Sequence, residues 1–519
     1  MAQSIDTWTI QTVGIPSFTL MELAGSKAAT QFLNDFPKAT KLLFLIGKGN
    51  NAGDGLVMAR HLLLSKPTID VSLAFVFNEP PSTVDASKNW ELLNNHNRTS
   101  FQDRLHLIEA NSLKEAAFLD NFDLCIDAVF GVGLSRAIEE PLSTFFDAIN
   151  TSALRLVALD VPSGLDAENG LILGTSLTVE TTYTFGFDKI GFYLNDADHI
   201  TGTVQVLPLG YDLASYLNAT KAATLAPVFE SLTPTSPNLL RTKKSPKHKY
   251  DGGAVLVLGS AEGLTGATIS VAQAAWAAGA SAVFVLLPKG LASIFESALP
   301  YAIKWLVGND NDRYLTEKHL AEIKSCLASY GKKGSICMGP GLGQNPSTFA
   351  LLNKVLPEIT QALVIDADAL KALTSSSVFA AEAATVLTPH LGEWQTIQKN
   401  YSLPVSSKEE ITLAALSDVR DFALKKNVHL IRKGTPTAYF SPNGKAQLTT
   451  TPSLQALFNK TGFGDVLSGL LATALVRFNS TEEAVIWSLQ KGLQAAKQSK
   501  MNQKTFFPET IIDYVKYEE

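Results

Sequence analysis

The sequence is poor in cysteine and has no excess of basic residues, and each deficit excludes a class of protein. Its three cysteines, an odd number in 519 residues, are too few for a disulfide framework and too scattered for a zinc site. Its 43 Lys and Arg residues are outnumbered by 49 Asp and Glu residues, which gives a net charge of −6 and no basic surface for nucleic acid. We therefore expect a cytoplasmic protein that has no nucleic-acid partner.

From the sequence we expect neither a secretory signal nor a membrane span. Residues 1–6 contain no basic region followed by an apolar run, so we expect no signal peptide. Residues 263–288 carry no charge and are numerous enough to cross a bilayer. Gly279, however, divides them into an Ala-rich part and a β-branched, aromatic part, which predicts a buried helix followed by a buried parallel strand. We expect no membrane partner.

Both halves of the chain repeat one pattern, in which a short apolar run ends at a Gly-rich or polar turn and a helical segment follows. Continuous apolar strands that alternate with helices are typical of parallel sheets covered on both faces, so the sequence predicts an α/β fold. The length exceeds what one hydrophobic core usually serves, which favours more than one domain. The predicted strands are residues 42–46, 71–77, 124–128, 154–159 and 181–185 in the first half, and 254–258, 282–286, 335–338, 363–365, 385–387 and 429–431 in the second.

A segment rich in Pro, Ser, Thr and Lys separates the two halves. Residues 226–247 interrupt the alternation, and their composition is typical of a solvated linker more than of a basic patch for a partner. The sequence therefore predicts a first domain over residues 1–225 and a second domain over residues 248–519.

The first polar cluster lies directly after the strand predicted at 42–46 and opens a helix. Its glycines let the backbone approach a ligand closely, and the new helix offers free N–H groups to an anion. Two asparagines and an aspartate exceed what a structural turn needs, so we favour binding of a phosphate or pyrophosphate. The pattern is not GxGxxG, so a standard hydride-transfer site is not implied. The cluster is Gly47-Lys48-Gly49-Asn50-Asn51-Ala52-Gly53-Asp54-Gly55.

Two aspartates stand at the ends of later strands in the first half. Asp127 lies in the strand predicted at 124–128, and Asp160 follows the strand predicted at 154–159. Open α/β sheets bind ligands beyond these carboxyl ends. Alone, such an aspartate is as often a helix cap as a catalyst. Beside the Asn-rich loop, the two could share a hard cation through oxygen ligands or supply an acid–base group.

Several motifs of the first half occur together and in order. They are Gly14-Ile15-Pro16, Leu20-Met21-Glu22-Leu23-Ala24-Gly25, the 47–55 cluster, Asp127-Ala128-Val129-Phe130-Gly131-Val132-Gly133, Asp160-Val161-Pro162-Ser163-Gly164, and Thr184-Phe185-Gly186 with Lys189 and Gly191. Over roughly residues 1–215 they resemble the NAD(P)H-hydrate epimerase family, which implies a Rossmann-like three-layer sandwich. One departure is Ala52, where the family usually has glycine. An alanine would be strained there if the position required a positive φ.

The resemblance implies a role for each cluster. Asp160 would be the acid–base residue and would contact the substrate, while Asn51, Asp127 and Ser163 would bind a potassium ion. The hydrated carbon bears both a hydroxyl and the ring nitrogen, so the nitrogen can expel the hydroxyl and allow its return from either face while Asp160 transfers the proton. The residues implied to hold the hydrated dinucleotide are Asn50, Asn51, Ala52, Gly53, Asp54, Gly131, Val132, Gly133, Leu134, Ser135, Arg136 and Ala137.

The sharpest cluster of the second half ends in Asp465, just before an apolar helix. Glycines at a helix start form an anion hole for a transferring phosphoryl group, and Asp465 could deprotonate an attacking hydroxyl. The alternative is a carboxylate that only complements the helix dipole. His390 alone would more often be a core histidine, but its Thr-Pro-His-x-Gly-Glu setting favours a role in the site. The polar loops that follow predicted strands are 259–267, 339–343, 366–370, 388–393 and 433–437, and the cluster itself is Asn459-Lys460-Thr461-Gly462-Phe463-Gly464-Asp465.

Over roughly residues 235–510 this set of loops resembles the NAD(P)H-hydrate dehydratase family, which has a ribokinase-like α/β sandwich fold. The matching motifs, in order, are His248-Lys249, Gly339-Pro340-Gly341-Leu342-Gly343, Asp366-Ala367-Asp368-Ala369-Leu370, Thr388-Pro389-His390 and Gly464-Asp465-Val466-Leu467-Ser468-Gly469. The usual Gly-Gly-Thr-Gly-Asp run of the family has Phe463 in place of its small threonine here, which bears on the fit of the nucleotide.

This second resemblance also implies roles. Asp465 would act as the base that lets the nucleotide phosphorylate the hydroxyl of the hydrate, and magnesium would accompany the nucleotide. Phosphate is a better leaving group than hydroxide, so its elimination restores the nicotinamide ring. The residues implied to contact the hydrate are Ala267, Gly341, His390 and Asp465, and those implied to bind ADP or ATP are Lys433, Gly434, Thr435, Pro436, Thr437 and Gly464.

Fused in this order, the two halves predict repair of NADH-hydrate and NADPH-hydrate. Non-enzymatic hydration gives R and S epimers at one carbon, so a dehydratase specific for the S hydrate needs an epimerase in order to use the R hydrate. The resemblance also implies a homo-oligomer. Two alternatives stay open: a ribokinase-like small-molecule kinase, and a non-catalytic dinucleotide-binding scaffold.

Overall fold

A computed structural model shows the chain as two compact α/β units. The described residues are 2–101, 103–195, 197–220, 229–234, 253–331, 334–380, 382–406 and 411–516. The first unit comprises Met1–Leu225 with Ile411–Leu413, and the second comprises Ala226–Glu410 and Ala414–Glu519. Each unit is built around its own sheet.

The first unit contains a sheet of seven parallel strands. They are β1 (Lys41–Ile46), β2 (Asp70–Phe75), β3 (Leu105–Ile108), β4 (Leu124–Ala128), β5 (Arg155–Leu159), β6 (Thr181–Phe185) and β7 (Thr203–Leu207). Their order across the sheet is β3-β2-β1-β4-β5-β6-β7, and every neighbouring pair is parallel. The direction of winding reverses between β1 and β4, which is where open α/β sheets bind ligands.

Alternate residues of β1 enter two different hydrophobic cores. Leu42 and Phe44 pack in one core, whereas Leu43 and Leu45 belong to the other. Because successive side chains of a strand face opposite ways, helices cover both sides of the sheet, and the unit is a three-layer sandwich. Its helices are α1 (Ala2–Trp8), α2 (Ser17–Asp35), α3 (Asn50–Ser65), α4 (Val84–His96), α5 (Ala116–Leu119), α6 (Leu142–Thr151), α7 (Asp198–Thr201) and α8 (Leu213–Thr220), with π-helical Thr9–Val13 and Asn97–Phe101 and 3₁₀-helical Ala110–Lys114 and Ile190–Tyr193.

The second unit contains a larger, mixed sheet. Its strands are β8 (Phe229–Leu232), β9 (Ala254–Leu258), β10 (Ala282–Pro288), β11 (Ile303–Val307), β12 (Gly334–Met338), β13 (Ala362–Ile365), β14 (Thr385–Leu387), β15 (His429–Arg432), β16 (Ala438–Phe440) and β17 (Ala446–Thr449). Their order is β11-β10-β9-β12-β13-β14-β15-β16-β17-β8. The strands from β11 to β15 are parallel, β16 runs antiparallel to both of its neighbours, and β8 is parallel to β17.

Both faces of this second sheet are buried as well. Val257 and Cys337 pack with Val271 and Leu471 in one core, and Leu256, which faces the other way, is fully buried too. Helices therefore cover both faces. They are α9 (Thr265–Ala277), α10 (Ala292–Ala298), α11 (Leu320–Tyr330), α12 (Pro346–Val355), α13 (Asp368–Ala372), α14 (Leu391–Asn400), α15 (Leu413–Lys426), α16 (Pro452–Gln455), α17 (Phe463–Arg477), α18 (Thr481–Met501) and α19 (Pro508–Lys516), with 3₁₀-helical Lys289–Leu291, Glu317–His319, Leu356–Glu358 and Ala456–Phe458.

The predicted α/β fold is confirmed, and each strand predicted from the sequence is present with ends that differ by at most two residues. The uncharged segment 263–288 forms α9 and β10, and Gly279 makes the turn between them with a φ of 89°. Of the helices that the structure describes, none combines the length and the apolar character that a membrane span requires.

The strands that the sequence pattern missed lie at sheet edges or in the antiparallel part of the second sheet. Edge strands need no continuous apolar run: β3, for example, buries only Leu105 fully. The linker predicted over 226–247 is wrong at Phe229–Leu232, because these residues pair with Ala446–Thr449 as β8. Within β8 only Leu232 is buried, so its composition resembles that of a linker.

Helices α9 and α17 approach each other so closely that no side chain fits between them at Gly469. A Cβ at this position would lie 2.4 Å from the carbonyl oxygen of Val271 and 2.7 Å from the Cβ of Ala274. Both neighbours belong to α9, so the glycine that ends the Gly-Asp-Val-Leu-Ser-Gly motif is required by helix packing.

We expect Gly469→Ala to destabilise the second unit by about 1–3 kcal/mol, because the added methyl group must push α9 away from α17. Gly266→Ala in α9 is the matched control, since nothing lies within 4 Å of its added Cβ. Alanine has the higher helix propensity, so this control should be neutral or slightly stabilising. Urea unfolding followed by circular dichroism measures both, and equal stability of the two variants would contradict the packing argument.

Candidate active sites

A cavity of about 610 Å³ opens at the carboxyl edge of the first sheet. Its walls come from the loops that follow β1, β4, β5 and β6, together with residues of α1 and α2. Its polar wall residues include Asp6, Lys48, Asn50, Asn51, Asp54, Asp85, Arg136, Asp160, Lys189 and Tyr211.

Asp160 begins the loop after β5 and is held by a buried lysine. The Lys189 Nζ donates to Asp160 Oδ1 over 2.8 Å and to the carbonyl oxygens of Phe185 and Phe187 over 2.9 and 3.0 Å. Lys189 is only 6% exposed, so the ion pair is largely shielded from water. Asp160 has a φ of 63°, a conformation that is uncommon for aspartate and that concentrates at functional sites. The pair therefore fixes one carboxylate in the cavity wall.

Two further carboxyl groups share the cavity with Asp160. Asp6 accepts a hydrogen bond from the Tyr211 hydroxyl, and Asp54 lines the cavity from the first turns of α3. Burial, and then the negative charges of Asp160 and Asp6, raise the pKa of Asp54 well above its ordinary value. Burial also raises the pKa of Asp6, although the Tyr211 hydroxyl opposes this. Carboxyl groups with raised pKa values therefore lie beside the carboxylate that Lys189 holds, and the wall can both donate and accept a proton.

Below this wall, Asn51, Asp127 and Ser163 form a buried polar cluster. The Ser163 Oγ donates to Asp127 Oδ1 over 2.6 Å, and the Ser163 N–H donates to Asp127 Oδ2 over 2.7 Å. Phe130 connects the cluster, because its N–H donates to Ser163 Oγ over 2.9 Å and its carbonyl oxygen accepts from Asn51 Nδ2 over 2.8 Å. Burial raises the pKa of Asp127 to about 6. The Asn51 Oδ1 is buried without a hydrogen-bond partner, so the cluster offers an unused oxygen acceptor beside a carboxylate.

The cavity brings together most of the substrate residues expected in this half. Ala52 and Gly53 are buried in α3 instead: Ala52 joins the hydrophobic core, and a Cβ at Gly53 would lie 2.4 Å from the Met21 sulfur. The expectation of strain at Ala52 is wrong, because this residue lies in the first turn of α3 with helical backbone angles. The residues that line the cavity are Asn50, Asn51, Asp54, Gly131, Val132, Gly133, Leu134, Arg136 and Asp160, and those that do not are Ala52, Gly53, Ser135 and Ala137.

Sequence reasoning missed the cavity residues Asp6 and Tyr211 and assigned no role to Lys189. The hydrogen bond between Asp6 and Tyr211 spans 205 positions, and no local pattern marks either residue. Lys189 does carry a signal, since it belongs to a motif that follows β6. Its contact with Asp160 becomes visible only in the folded chain.

A second cavity, of about 460 Å³, opens at the carboxyl edge of the other sheet. The loops after β13, β14 and β15 and the start of α17 supply its polar wall, and α17, α18 and α19 supply an apolar wall. The polar wall includes Asp366, His390, Glu393, Lys433, Thr437, Lys460 and Asp465, and the apolar wall includes Leu470, Leu489, Leu493 and Ile511.

A buried ion pair joins the ends of β13 and β15. The Lys433 Nζ donates to Asp366 Oδ1 over 2.7 Å, and the Ser468 Oγ donates to Asp366 Oδ2 over 2.7 Å. The Glu393 carboxylate lies 3.8 Å from the same Nζ. Burial alone would raise the pKa of Asp366, but the Lys433 charge and these hydrogen bonds hold it below its ordinary value. The pair is therefore ionised at neutral pH and fixes a cation in the cavity.

Asp465 lies in the first turn of α17, close to this ion pair. Burial, and then the negative charge of Asp366, raise the pKa of Asp465 to about 6, whereas the Lys433 charge lowers it. A Cβ at Gly464 would lie 3.2 Å from the Lys433 Nζ, so glycine at this position leaves the lysine uncovered. A carboxylate with a pKa near neutrality can take up a proton during catalysis and release it afterwards.

His390 has a structural role as well as a place in the cavity wall. Its Nδ1 accepts the N–H groups of Gly392 and Glu393 over 3.0 and 3.3 Å, which caps α14. Its Nε2 lies 3.3 Å from a Glu393 carboxylate oxygen, and its side chain is 58% exposed. With Nδ1 used as an acceptor, the neutral ring carries its proton on Nε2, which is the atom left to meet a ligand.

Phe463 does not enter the polar part of the cavity. Its ring stacks on Phe506 at a centroid distance of 4.9 Å and meets Phe458 edge-on at 5.1 Å. Phe463 is 5% exposed and belongs to the core between α9, α17 and α19. The large side chain at this position is thus accommodated in the apolar core, while the backbone of Gly464 and Asp465 remains at the cavity.

The second cavity gathers only part of the expected set. Ala267 and Gly341 lie next to each other away from it, since a Cβ at Gly341 would be 3.5 Å from the Ala267 Cβ. His248 and Lys249 lie outside the described residues. The expected residues that line the cavity are His390, Lys433, Gly434, Thr437, Gly464 and Asp465, and those that do not are Ala267, Gly341, Thr435 and Pro436.

The contacts that Glu393 and Ser468 make with the Asp366–Lys433 ion pair were missed by sequence reasoning. Glu393 and Ser468 each belong to a recognised motif, but their contacts with the ion pair are long-range: Ser468 reaches Asp366 across 102 positions. A motif indicates that a residue is near the site, and only the fold shows which side chain it meets.

Comparison with known proteins assigns each half of the chain to a family. Residues 17–191 match the family described as "YjeF-related protein N-terminus", and residues 254–516 match the family described as "NAD(P)H-hydrate dehydratase". The chain is also similar to a solved structure of an ADP/ATP-dependent NAD(P)H-hydrate dehydratase from Bacillus subtilis, co-crystallised with ATP and Mg²⁺. The two share 19% sequence identity with a TM-score of 0.45, and the alignment covers 56% of this chain and 96% of that chain.

Relatives with both halves cover nearly the whole chain. A bifunctional NAD(P)H-hydrate repair enzyme of Moorella thermoacetica is 30% identical over 468 residues, which are 88% of this chain and 83% of that protein. An enzyme of the same description from Salinibacter ruber is 28% identical over 507 residues, which are 96% of this chain and 90% of that protein. The chain therefore belongs to the family of bifunctional NAD(P)H-hydrate repair enzymes.

Proposed function

We propose that the first unit interconverts the R and S hydrates of NADH and NADPH, and that the second unit dehydrates the S hydrate with ADP or ATP. One observation carries this proposal: in each cavity an aspartate expected to be catalytic lies at an ion pair between a lysine and a carboxylate. Asp160 is paired with Lys189, and Asp465 lies beside the Asp366–Lys433 pair. Membership of the repair family supplies the substrate class.

For the epimerase we propose that Asp160 and its neighbours move protons at the hydroxyl of the hydrate. The ring nitrogen expels this hydroxyl once a proton has been supplied, which leaves a planar carbon that water can attack from either face. Asp54, whose pKa is raised by burial and by Asp160, is suited to hold that proton, while Lys189 keeps Asp160 in place. Because water can add to either face of this carbon, the same reaction converts the R hydrate to the S hydrate and the S hydrate to the R hydrate.

We propose that potassium binds at Asn51, Asp127 and Ser163. The unpartnered Asn51 Oδ1 and the buried Asp127 carboxylate fit a hard monovalent cation, which prefers oxygen ligands. A cation held there would supply fixed positive charge below the substrate loops. The chain's own residues bring those loops together, because Phe130, which bonds both Ser163 and Asn51, begins the loop of Gly131 to Arg136.

For the dehydratase we propose that Asp465 takes the proton of the substrate hydroxyl as its oxygen attacks the terminal phosphorus of ADP or ATP. The bond from that phosphorus to the oxygen that bridges it to the adjacent phosphate breaks, which releases AMP or ADP. The bond between the ring carbon and the ester oxygen then breaks, so that inorganic phosphate leaves while the ring nitrogen supplies the electron pair. The neighbouring ring carbon loses a proton to solvent, and the C=C bond of the dihydronicotinamide is restored. Lys433 and the backbone at Gly464 stand where they can stabilise the charge that develops on the phosphoryl group.

We propose that magnesium enters the second cavity with the nucleotide. Among the residues the structure describes, no group of three or more His, Cys, Asp or Glu side chains is arranged to hold a metal. Mg²⁺ is usually bound by substrate phosphates and one or two carboxylates, and it supplies charge neutralisation during phosphoryl transfer. Asp465 is the cavity carboxylate suited to this, because both oxygens of Asp366 accept hydrogen bonds and both oxygens of Glu393 contact His390.

We further propose that the protein works in the cytoplasm as a homo-oligomer. The unpaired cysteines Cys125, Cys326 and Cys337 support a reducing compartment. Oligomer size is measured by sedimentation velocity.

A mixture of both NADH-hydrate epimers, with K⁺, Mg²⁺ and ATP or ADP, tests the two steps together. We expect wild type to restore all of the NADH absorbance. Asp160→Asn should consume the S hydrate and stall with the R hydrate left, with epimerisation slowed at least about 100-fold because an acid–base group is lost. Asp465→Asn should restore no NADH at a rate comparable with that of wild type.

Asp513→Asn is the control for this assay, since Asp513 lies in α19 with a side chain that is 63% exposed. It should behave as wild type. If wild type restores no NADH with either nucleotide, the dehydratase proposal fails. Accumulation of a stable phosphorylated hydrate would point instead to a kinase, and equal loss of both epimers in Asp160→Asn would remove the epimerase assignment.

Potassium should stabilise the first unit. We expect KCl to raise the Tm above its value in choline chloride at equal ionic strength, because bound ligand stabilises the folded state by about 2.7 kcal/mol at 100 times its Kd. Asn51→Leu removes the free carbonyl oxygen and should abolish this difference. Asn89→Leu, which also replaces a fully buried asparagine of the first unit, should lower the Tm but keep the response to potassium. Equal Tm values for wild type in the two salts would refute the potassium site.

A further inference from the structure

Arg432, the last residue of β15, is a buried cation, and no acidic side chain among the residues that the structure describes is paired with it. The residue is 5% exposed, and its Nη1 is buried without a hydrogen-bond partner. Burial lowers the pKa of Arg432 to about 10. A guanidinium in this position is costly unless an anion meets it.

The guanidinium lies directly against the loop proposed to bind the nucleotide. A Cβ at Gly434 would be 3.4 Å from the Arg432 Nη1 and 4.0 Å from its Cζ, and Gly434 itself lines the second cavity. Gly434 has a φ of 152°, which a residue with a side chain rarely adopts. Thr437 holds the loop from its other end, since its Oγ1 donates to the Gly434 carbonyl oxygen over 2.9 Å. Arg432 is not itself in the cavity wall, but its guanidinium lies beside Gly434, which is.

Two other cations of the same unit differ from Arg432 in being paired with a carboxylate, although the Arg420 Nη1, like the Arg432 Nη1, has no hydrogen-bond partner among the described residues. Lys433 is paired with Asp366 over 2.7 Å. Arg420, which is 7% exposed, is paired with Asp421 over 2.7 Å. The charges of Lys433 and Arg420 are therefore used inside the protein, whereas that of Arg432 is left for a ligand.

We infer that Arg432 binds a phosphate group of the nucleotide from beneath the 433–437 loop. A guanidinium matches a phosphate with two parallel N–H donors, and such charge-assisted bonds are the strong ones. The inference rests on the proposed nucleotide-dependent function and assigns to Arg432 the affinity for ADP and ATP, while Asp465 carries the proton transfer. The anion that it recognises is a phosphate monoester or anhydride, and inorganic phosphate shares that chemistry.

Calorimetric titration of the full chain with ADP, ATP, adenosine and inorganic phosphate tests this assignment. Arg432→Met should raise the Kd for ADP and ATP at least about tenfold, because a charge-assisted hydrogen bond is lost. Its affinity for adenosine should be unchanged. Without nucleotide, the Tm of Arg432→Met should equal or exceed that of wild type, since replacing an unbalanced buried charge with an apolar side chain relieves a cost. Arg432→Lys should bind ADP more tightly than Arg432→Met.

Arg420→Met is the matched control: it should lower the Tm and leave the Kd for ADP at its wild-type value. If Arg432→Met binds ADP and ATP as wild type does, the inference is overturned while the proposed function stands. If inorganic phosphate alone binds tightly to wild type and loses this binding in Arg432→Met with ADP unaffected, the site takes free phosphate and the nucleotide assignment is wrong. Wild type that binds neither nucleotide contradicts the proposed function, and the inference falls with it.

Discussion

Buried carboxylate–lysine pairs at the carboxyl edges of the two sheets are the interactions on which both sites depend. Lys189 and Lys433 are largely shielded from water, with side chains 6% and 20% exposed, and each can stay charged because a carboxylate lies 2.8 Å away in the first unit and 2.7 Å away in the second. Removing one partner would leave a buried charge uncompensated, at a cost of about 3–5 kcal/mol. The pairs also set the charge felt by their neighbours, since Asp160 raises the pKa of Asp54, and Asp366 and Lys433 shift that of Asp465 in opposite directions.

The folds explain why these pairs form where they do. Parallel strands end at one edge, so loops that are far apart in the sequence converge there. In the second unit the tight packing of α9 on α17 at Gly469 helps to place the start of α17, and with it Asp465, beside Lys433. The end of β15 also places Arg432, a second cation, against Gly434 of the 433–437 loop, next to the residue Lys433 that lines the cavity.

Much of this could be predicted from the sequence, and the failures have physical causes. Strands buried on both faces are continuous apolar runs, so β1 and β9 were predictable, whereas the edge strand β8 resembles a linker. A motif at a strand end indicated Asp160, and a Gly-rich motif at a helix start indicated Asp465. Their partners could not be found in this way, because the contacts of Asp6 with Tyr211 and of Ser468 with Asp366 join distant segments. Alanine at position 52, where the family usually has glycine, causes no backbone strain because a helix, and not a turn, occupies that position.

The most direct test of this account is the pH dependence of kcat/KM for dehydration, measured in wild type, Lys433→Met and Asp366→Asn. Asp465 must be ionised to accept a proton, so the rate of wild type should fall as the pH drops through about 6, the pKa of this group. In Lys433→Met this fall in kcat/KM should occur at higher pH, because a charge that lowers the pKa of Asp465 is lost. In Asp366→Asn it should occur at lower pH, because a charge that raises that pKa is lost. If kcat/KM falls at the same pH in wild type and in both variants, the claim that the Asp366–Lys433 pair sets the pKa of Asp465 is contradicted.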